Sequence, residues 1–535
     1  MFDRFREASR FDASDDATRR TFVRARLEAM LRHCRAESPF YARHAALIDE
    51  LLAEPDDARF FERYAALPPL TKQHLVDDFD DLMTDREITR ARVDAFDAEH
   101  ADGLGLLETA SGGAHQAIKT SGTSGTVVYI VDSVRCIKEV MSLLLFRALL
   151  RVLYQTGMWP AFLPFVRPFY RLLRRLRHGR PAGQGPAPLP PSWGERIARF
   201  VRPSLLVFVH RGNRSVYRGT TSHSQPLWVR LLMHIRVLSH EESLETILRR
   251  TQWQQPEFIF GLPSRIEWLA RAQLRGALCI DPLAVYVGGE TLHAELLDLY
   301  KRAWPRTVVI NTYGATETKA IATACAECGE LHVLEDIVHL ELYGAEGGPV
   351  PPGDIAAQVY CTGLWNRVTP VLRYDMSDRI EVLPDAGCRW RTHRIRVRGR
   401  EPAFLWAPHQ KTGEWVPLNG RMLKESLVAL PDAIGFMVRY TQPGSISLQF
   451  VLESDDSTGE VEARLRAGAL TALDKLVRDQ GSAVSDLFPA VQVEVFDMQG
   501  WNQAGGKLGA IAASVVPPHL ANQDDSAPTA SEAAS

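Results

Sequence analysis

A run of small and hydroxylated residues precedes an expected strand near residue 120. The run is Thr120-Ser121-Gly122-Thr123-Ser124-Gly125, and the β-branched segment 127–131 follows it. Small side chains let backbone N–H groups converge on an anion, and hydroxyls add further donors. The pattern predicts a loop for the phosphates of a nucleoside triphosphate, with a plain Ser/Gly-rich loop as the alternative. It is not a Walker A loop, because no Lys-Ser or Lys-Thr follows Gly125.

A second polar segment follows the expected strand Val308–Ile310 and contains Tyr313, Gly314, Thr316 and Glu317. Ligands of open α/β sheets collect at the carboxyl ends of strands, so a site belongs here. Tyr313 offers a flat face to a purine, Thr316 offers a hydroxyl to a phosphate, and Glu317 offers a carboxylate to Mg²⁺. The alternative is an ordinary strand-to-helix turn with an exposed glutamate.

Two more polar residues suit the rest of a nucleotide. Asp378 comes shortly after Arg373, and its carboxylate can accept both hydroxyls of a ribose. Lys507 follows Gly505 and Gly506, and from a glycine turn it could reach a phosphate oxygen as a point charge. Taken singly, a solvated aspartate and a solvated turn lysine are the simpler interpretations.

A cysteine–histidine pattern lies beyond the second polar segment. Cys325, Cys328 and His332 are spaced as Cys-x2-Cys-x3-His, and Cys361 is the next cysteine along the chain. Zn²⁺ takes four tetrahedral ligands of these types. The spacing predicts a structural zinc site with Cys361 as the fourth ligand; two reduced thiols in a loop are the alternative.

The order of these segments resembles the adenylate-forming superfamily. Within it, the chain is most similar to the phenylacetate–CoA ligase group and its capsule-biosynthesis (CapK) and coenzyme F-390 synthetase relatives. The resemblance covers roughly residues 20–512. Its additional motifs are Ser38-Pro39-Phe40-Tyr41 with Leu70-Thr71-Lys72, Gly261-Leu262-Pro263-Ser264, Gly288-Gly289-Glu290, and Leu331-His332-Val333 with Glu335-Asp336.

The resemblance assigns a role to each candidate residue. Thr120 to Gly125 would hold the phosphates, Gly289 and Glu290 would line the adenine pocket, and Tyr313, next to Gly314, would stack on the base. Thr316 and Glu317 would handle phosphate and Mg²⁺. Asp378, with Arg373 beside it, would hold the ribose, and Lys507 would bridge the acyl carboxylate and the nucleotide.

The same resemblance implies a two-step reaction and a moving domain. A carboxylic acid reacts with ATP to give an acyl-adenylate and pyrophosphate, and coenzyme A then displaces AMP as an acyl-CoA or aryl-CoA thioester. A small C-terminal domain would carry Lys507 in for the first step and out for the second. Transfer to a carrier-protein thiol, an amine or a hydroxyl is the alternative, and a catalytically weakened scaffold subunit is an alternative of another class.

The chain departs from the superfamily pattern at its hinge. That segment normally contains Gly-Arg-x-Asp-Asp, whereas Gly399-Arg400-Glu401-Pro402-Ala403 lacks both aspartates. Proline fixes its own φ and restricts the residue before it, so the rotation is expected to be altered or centred elsewhere. The Pro/Gly-rich connector 178–193 is also longer than a compact ligase needs.

Composition and pattern complete the expected organisation. The 535 residues are 45% apolar and 24% charged with a net charge of −3, which argues against a dedicated nucleic-acid binder. Seven cysteines are too few for a disulfide scaffold, and no secretory signal or membrane span is evident, so a cytoplasmic setting is expected. The basic face at 167–180 could contact a membrane or a partner protein. A homodimer is also possible on the sequence alone.

Alternating strands and helices predict an α/β fold. The resemblance implies that residues 1–400 form a large N-terminal adenylation domain with mixed sheets and flanking helices. A small mobile C-terminal α/β domain over 401–515 and a disordered tail over 516–535 would follow.

Overall fold

The computed structural model describes most of the chain in two compact units, Met1–Gly399 and Arg400–Ser535. The described residues are 2–100, 105–110, 112–119, 128–157, 202–209, 227, 231, 233–239, 242, 244–292, 294–344, 346–376, 378–399, 404–420, 423, 426–427, 430, 433–452, 459–496, 510–513 and 515. The predictions for Thr120–Gly125, the basic face 167–180, the connector 178–193, the hinge residues 400–403, Lys507 and the tail lie outside the described residues.

Helices alone form the first 100 residues of the first unit. They are α1 (Phe2–Asp12), α2 (Asp16–Glu37), α3 (Pro39–Ala42), α4 (Ala45–Ala53), α5 (Asp57–Tyr64), α6 (Lys72–Asp77), α7 (Phe79–Leu82) and α8 (Arg90–Glu99). Periodicity predicts a single helix over 17–52, but the chain forms three. Ser38 is extended at φ −108° and ψ 111° because Pro39 excludes a helical conformation from the residue before it.

Strands and helices alternate through the rest of the first unit. The strands are β1 (Leu107–Glu108), β2 (Ala114–Lys119), β3 (Tyr129–Ser133), β4 (Ser204–Val209), β5 (His234–Ser239), β6 (Phe258–Gly261), β7 (Ala284–Val287), β8 (Val308–Ala315), β9 (Lys319–Ala324), β10 (Leu331–Val333), β11 (Val338–Tyr343), β12 (Gln358–Gly363), β13 (Tyr374–Asp375), β14 (Arg379–Leu383) and β15 (Arg394–Gly399). The helices among them are α9 (Val134–Thr156), α10 (Leu244–Gln254), α11 (Pro263–Leu274) and α12 (Ala294–Ala303).

Nine of these strands form one mixed sheet in the order β14-β15-β10-β9-β8-β7-β6-β4-β5. The strands from β5 to β8 are parallel, and those from β8 to β14 are antiparallel. Two three-stranded antiparallel sheets, β1-β2-β3 and β11-β12-β13, accompany it. One hydrophobic core joins residues of the N-terminal helices, α9 and all three sheets.

The second unit has its own core and its own α/β layer. Its described elements are β16 (Phe404–Pro408), β17 (Trp415–Asn419), β18 (Ala433–Gln442), β19 (Ser445–Leu452), α13 (Gly459–Arg478), α14 (Val484–Leu487), β20 (Ala490–Phe496) and β21 (Ala510–Ala513). Four of the strands form a sheet in the order β20-β19-β18-β21. The apolar face of α13, which includes Leu465 and Leu473, belongs to the core of this unit.

Among the described helices, none combines the length and the apolar character that a membrane span requires.

Candidate functional site

The carboxyl ends of three neighbouring parallel strands meet in register at one edge of the large sheet. Gly261 of β6 pairs with Val287 of β7, and Val287 pairs with Asn311 of β8. Gly288 follows directly, and a β-carbon there would lie 2.5 Å from the Thr312 hydroxyl. Only glycine therefore fits, and the backbone of this turn lies close to β8.

Glu290 completes the turn after β7 and binds the start of α11. The Ser264 backbone N–H donates to Oε2 of Glu290 at 3.0 Å, and the Ser264 hydroxyl donates to Oε1 at 3.1 Å. A carboxylate is favourable here because the first N–H groups of a helix lack partners and carry partial positive charge. Gly289, with φ +82°, makes the bend that brings Glu290 back toward the helix.

Tyr313 and Asp378 meet through a short hydrogen bond. The Tyr313 hydroxyl donates to Oδ2 of Asp378 at 2.5 Å, and Asp378 is 8% exposed. These residues were singled out for the base and the ribose of a nucleotide, and they are separated by 65 positions in the chain. The fold brings them to one place.

Glu317 lies at the tip of a tight hairpin between β8 and β9. The sequence predicts that the polar segment follows the strand, but β8 continues through Ala315, and only 316–318 form the turn. The hairpin is tight at Gly314, where a β-carbon would lie 2.0 Å from the Lys319 carbonyl oxygen. The turn connects two antiparallel strands, not a strand and a helix.

A tyrosine from β13 holds the Glu317 carboxylate. The Tyr374 hydroxyl donates to Oε1 of Glu317 at 2.9 Å. Tyr374 lies four positions before Asp378, so the same stretch of chain supplies the partner of Glu317 and the partner of Tyr313. Sequence reasoning missed Tyr374, although it stands directly beside the residues chosen for the ribose.

Arg373 is engaged away from Asp378. Its Nε donates to both carboxylate oxygens of Glu341 at 3.1 Å, and its Nη1 donates to the backbone carbonyls of Ala65 and Leu67. The guanidinium also stacks over the Tyr360 ring at 4.7 Å. The described contacts of Arg373 are thus with buried protein groups, and its assigned place beside the ribose stays a prediction.

The predicted phosphate loop and Lys507 lie outside the described residues. The strands on either side of the loop are described, and Lys119 of β2 pairs with Tyr129 of β3. Both assignments stay predictions.

A cluster of three cysteines and one histidine could hold a metal ion. The ligand atoms of Cys325, Cys328, His332 and Cys388 all lie within 4.8 Å of one another. Four ligands around a zinc ion require separations of about 3.8 Å between sulfurs, so a small inward movement would suffice. The structure does not place the predicted fourth ligand, Cys361, in this cluster: Cys361 is fully buried in the core within β12, and Cys388 lies with the other three residues.

A tight backbone turn links the first two cysteines of the cluster to His332. The Glu327 N–H donates to Sγ of Cys325 at 3.4 Å, and Gly329, with φ +78°, closes the turn. Nε2 of His332 lies 3.5 Å from Sγ of Cys328, while its Nδ1 lies 3.5 Å from the Thr392 hydroxyl. A hydrogen-bonding partner on the second ring nitrogen is the usual arrangement for a histidine ligand.

Burial sets the protonation of this cluster. It lowers the pKa of His332 to about 4 and raises the pKa of Cys388 to about 12, so at neutral pH the metal-free cluster holds a neutral imidazole and a protonated Cys388 thiol. Arg151 on α9 faces the cluster: its electrostatic partners are Cys325 and Cys328. Arg151 is 7% exposed, and its Nε and Nη1 have no hydrogen-bond partner among the described residues.

No protein-family model and no curated protein matches the chain. Solved structures do resemble it. Two structures of 2-hydroxyisobutyryl-CoA ligase in the postadenylation state, one with R3-HIB-AMP and one with 2-HIB-AMP, are 12% and 13% identical to it. Their TM-scores are 0.55 and 0.54, and each alignment covers 96% of this chain and 94% of the other. At such identities the likeness establishes the fold, and it confirms the predicted α/β class.

Proposed function

We propose that the chain activates a carboxylic acid with ATP through an acyl-adenylate and transfers the acyl group to coenzyme A, as a ligase of the phenylacetate–CoA ligase-like type. The observation that carries the proposal is the pair of hydrogen bonds between the β8–β9 hairpin and the chain around β13. Tyr313 binds Asp378 and Glu317 binds Tyr374, so the groups suited to base, ribose and metal lie together. The shared fold with 2-hydroxyisobutyryl-CoA ligase supports the same assignment.

The first step is an in-line displacement at phosphorus. A carboxylate oxygen of the acid forms a bond to the α-phosphorus of ATP while the bond to the bridging oxygen breaks, and pyrophosphate leaves with that electron pair. The chain has no covalent role, so its contribution is positioning and electrostatic stabilisation. Asp378 accepts hydrogen bonds from the ribose hydroxyls, and Tyr313, whose hydroxyl fixes that carboxylate, places its ring on the base.

Glu317 is the residue that would hold Mg²⁺. It fits, because its carboxylate accepts a hydrogen bond from the neutral Tyr374 hydroxyl, and the roughly four acceptor positions of a carboxylate include others that suit a cation. When bound, Mg²⁺ offsets negative charge on the phosphates. In the second step, the coenzyme A thiolate forms the thioester bond with the acyl carbon, and AMP leaves with the electron pair of the mixed anhydride.

Acid-dependent exchange of radiolabelled pyrophosphate into ATP tests the first step. We expect exchange with some members of a panel of aryl, fatty and hydroxy acids, and loss of exchange in Asp378→Ala. Asp375→Ala is a matched control, because that exposed carboxylate lies three positions away on β13. ATP binding without exchange for any acid would contradict the proposal and favour a scaffold role. Addition of coenzyme A then separates thioester formation from transfer to another acceptor.

We further infer that Cys325, Cys328, His332 and Cys388 bind a structural Zn²⁺. Three thiolates and a neutral imidazole around Zn²⁺ carry one net negative charge, and Arg151 supplies the opposite charge from a buried position. Gln155, one helical turn further along α9, donates to the Ala326 carbonyl at 2.6 Å, so this face of the helix lies on the metal-binding turn.

Metal analysis of the purified protein tests this ligand set. We expect about one zinc ion per chain, retained in Cys361→Ala and lost in Cys388→Ala. The two variants remove the same thiol chemistry from the two candidate positions, so they separate the ligand sets directly. Zinc lost equally from both variants, or absent from the unmodified protein, would contradict the assignment.

A further inference from the structure

Lys319 occupies a backbone position where a lysine is unexpected. It closes the β8–β9 hairpin opposite Ala315, and its φ is +65°. Tight hairpins commonly place glycine where φ is positive, because a β-carbon is disfavoured there. Local backbone preference would therefore select glycine, and the lysine side chain must have another reason to be present.

The side chain of Lys319 forms a buried ion pair with Asp132 of β3. Asp132 is completely buried, and the Lys319 side chain is 12% exposed. Removing either side chain would leave its partner buried and without the opposite charge.

The two partners stand next to the two segments that the proposed reaction must align. Lys319 lies two residues after Glu317, within the same hairpin. Asp132 lies on β3, the first strand after the predicted phosphate loop Thr120–Gly125. Glu317 and Lys319 line one small cavity together with Cys136, which lies in the first turn of α9, four positions after Asp132.

We propose that Asp132 and Lys319 are positioning residues for adenylation. Their ion pair fixes the strand that continues from the phosphate loop relative to the hairpin that carries Glu317. Neither residue needs to contact the nucleotide: the pair acts through the distance that it maintains between two groups that do. The inference rests on the proposed function, since it names residues on which the geometry of that same site depends.

The test uses variants that separate alignment from stability. Lys319→Met or Asp132→Asn alone leaves an unpaired buried group and is expected to destabilise the chain. The double variant Asp132→Leu/Lys319→Met replaces the pair with apolar side chains, a change that often preserves stability. Lys138→Met on α9 is the control for loss of a lysine, and Lys319→Arg tests rescue by another cation.

Pyrophosphate exchange and thermal melting are measured on the full chain with an acid that supports exchange. We expect the double variant to melt near the unmodified protein, while kcat for exchange falls about 10- to 100-fold, because small misplacements of reacting groups have effects of this size. The KM for the acid should stay unchanged, and Lys319→Arg should recover part of kcat.

A double variant with full kcat, or a kcat that falls only in proportion to the folded fraction, would overturn the positioning role. Absence of exchange in the unmodified protein would instead overturn the proposed function, and this inference with it.

Discussion

Replacement of Arg151 by methionine should change stability in opposite directions in the metal-free and the zinc-loaded protein. Burial lowers the pKa of Arg151 to about 10, so its guanidinium is still charged at neutral pH. Without metal, the thiol of Cys325 is protonated, because burial raises its pKa. The arginine is then a buried cation facing the neutral Cys325 thiol, and two of its nitrogen atoms have no acceptor among the described residues.

The expected magnitude follows from those two nitrogen atoms. A buried donor without a partner costs about 1–3 kcal/mol, and Arg151 keeps 7% exposure, so we take a total near 2 kcal/mol. Methionine has a similar length and no such donors. A domain of 150–250 residues melts about 2–4 °C higher for each kcal/mol gained, and larger units move less. For the unit Met1–Gly399, an unfolding entropy of about 2.1 cal/mol/K per residue gives roughly 1.2 °C for each kcal/mol, so the metal-free variant should melt about 2 °C higher.

Bound zinc reverses the sign of the expected change in melting temperature. The loaded centre is an anion, and removing one member of a buried ion pair costs about 3–5 kcal/mol. The loaded variant should melt several degrees lower than the loaded unmodified protein and should release zinc to a chelator more readily. The smaller stabilisation by zinc is the thermodynamic counterpart of the weaker binding.

Thermal melts of chelator-stripped and zinc-reconstituted protein measure both changes. Arg147→Met is the matched control one helical turn away, because Arg147 is already paired with Asp12 and Asp336 at 2.8 and 3.0 Å. It should lower the melting temperature in both states alike. A shift of Arg151→Met with the same sign and size in both states would refute the link between this arginine and the metal.

Three further predictions concern single residues. Lys507→Ala should reduce pyrophosphate exchange about 10²–10³-fold, the usual effect of removing a group that stabilises developing charge, while sparing thioester formation from a pre-made acyl-adenylate; equal loss in both assays would contradict its role. Tyr374→Phe removes the hydrogen bond to Glu317 and should lower kcat for exchange about tenfold; an unchanged kcat at saturating Mg²⁺ would show that this contact is dispensable. Burial raises the pKa of Asp12 above its ordinary 3.8 while Arg147 opposes that rise. Arg147→Met should therefore destabilise most at neutral pH, and the deficit should shrink as pH falls through the raised pKa and Asp12 is protonated; a constant deficit between pH 8 and 5 in thermal melts would contradict this.

Several elements of the fold could be predicted because their apolar runs are continuous. Phe258–Phe260 predicts β6 with only Gly261 added, and the pattern over 263–275 predicts α11 to within one residue. The extension of β8 through Ala315 could not be predicted from a continuous apolar run. Its last residues alternate polar and small side chains, and their pairing depends on how closely Gly314 approaches β9.

Site residues could be predicted from the sequence where one short segment carries several chemical groups. They could not be predicted where the residues that meet are far apart along the chain. Tyr313 and Glu317 stand out within a single motif. Cys388 does not, since spacing along the chain gives no reason to choose it over the nearer Cys361. The choice is made by the fold: Cys361 pairs with Leu340 inside a sheet and is fully buried.

Two strained positions suggest a common principle behind the site. Lys319 and Arg373 both adopt positive φ without being glycine, and both place a basic side chain in a buried ion pair, with Asp132 and Glu341 respectively. Such strain persists only where surrounding interactions impose it, and it concentrates at functional sites.

Each of the two residues stands beside one half of the site. Lys319 follows the turn that carries Glu317, and Arg373 immediately precedes Tyr374 and the segment leading to Asp378. A buried cation at each position fixes a backbone that side-chain preference alone would not hold. Each of the two segments is thus held by its own buried ion pair. The hydrogen bonds from Tyr313 to Asp378 and from Tyr374 to Glu317 can then form between them. On this reasoning, the charges nearest the predicted nucleotide are aligned by ion pairs that need not touch it.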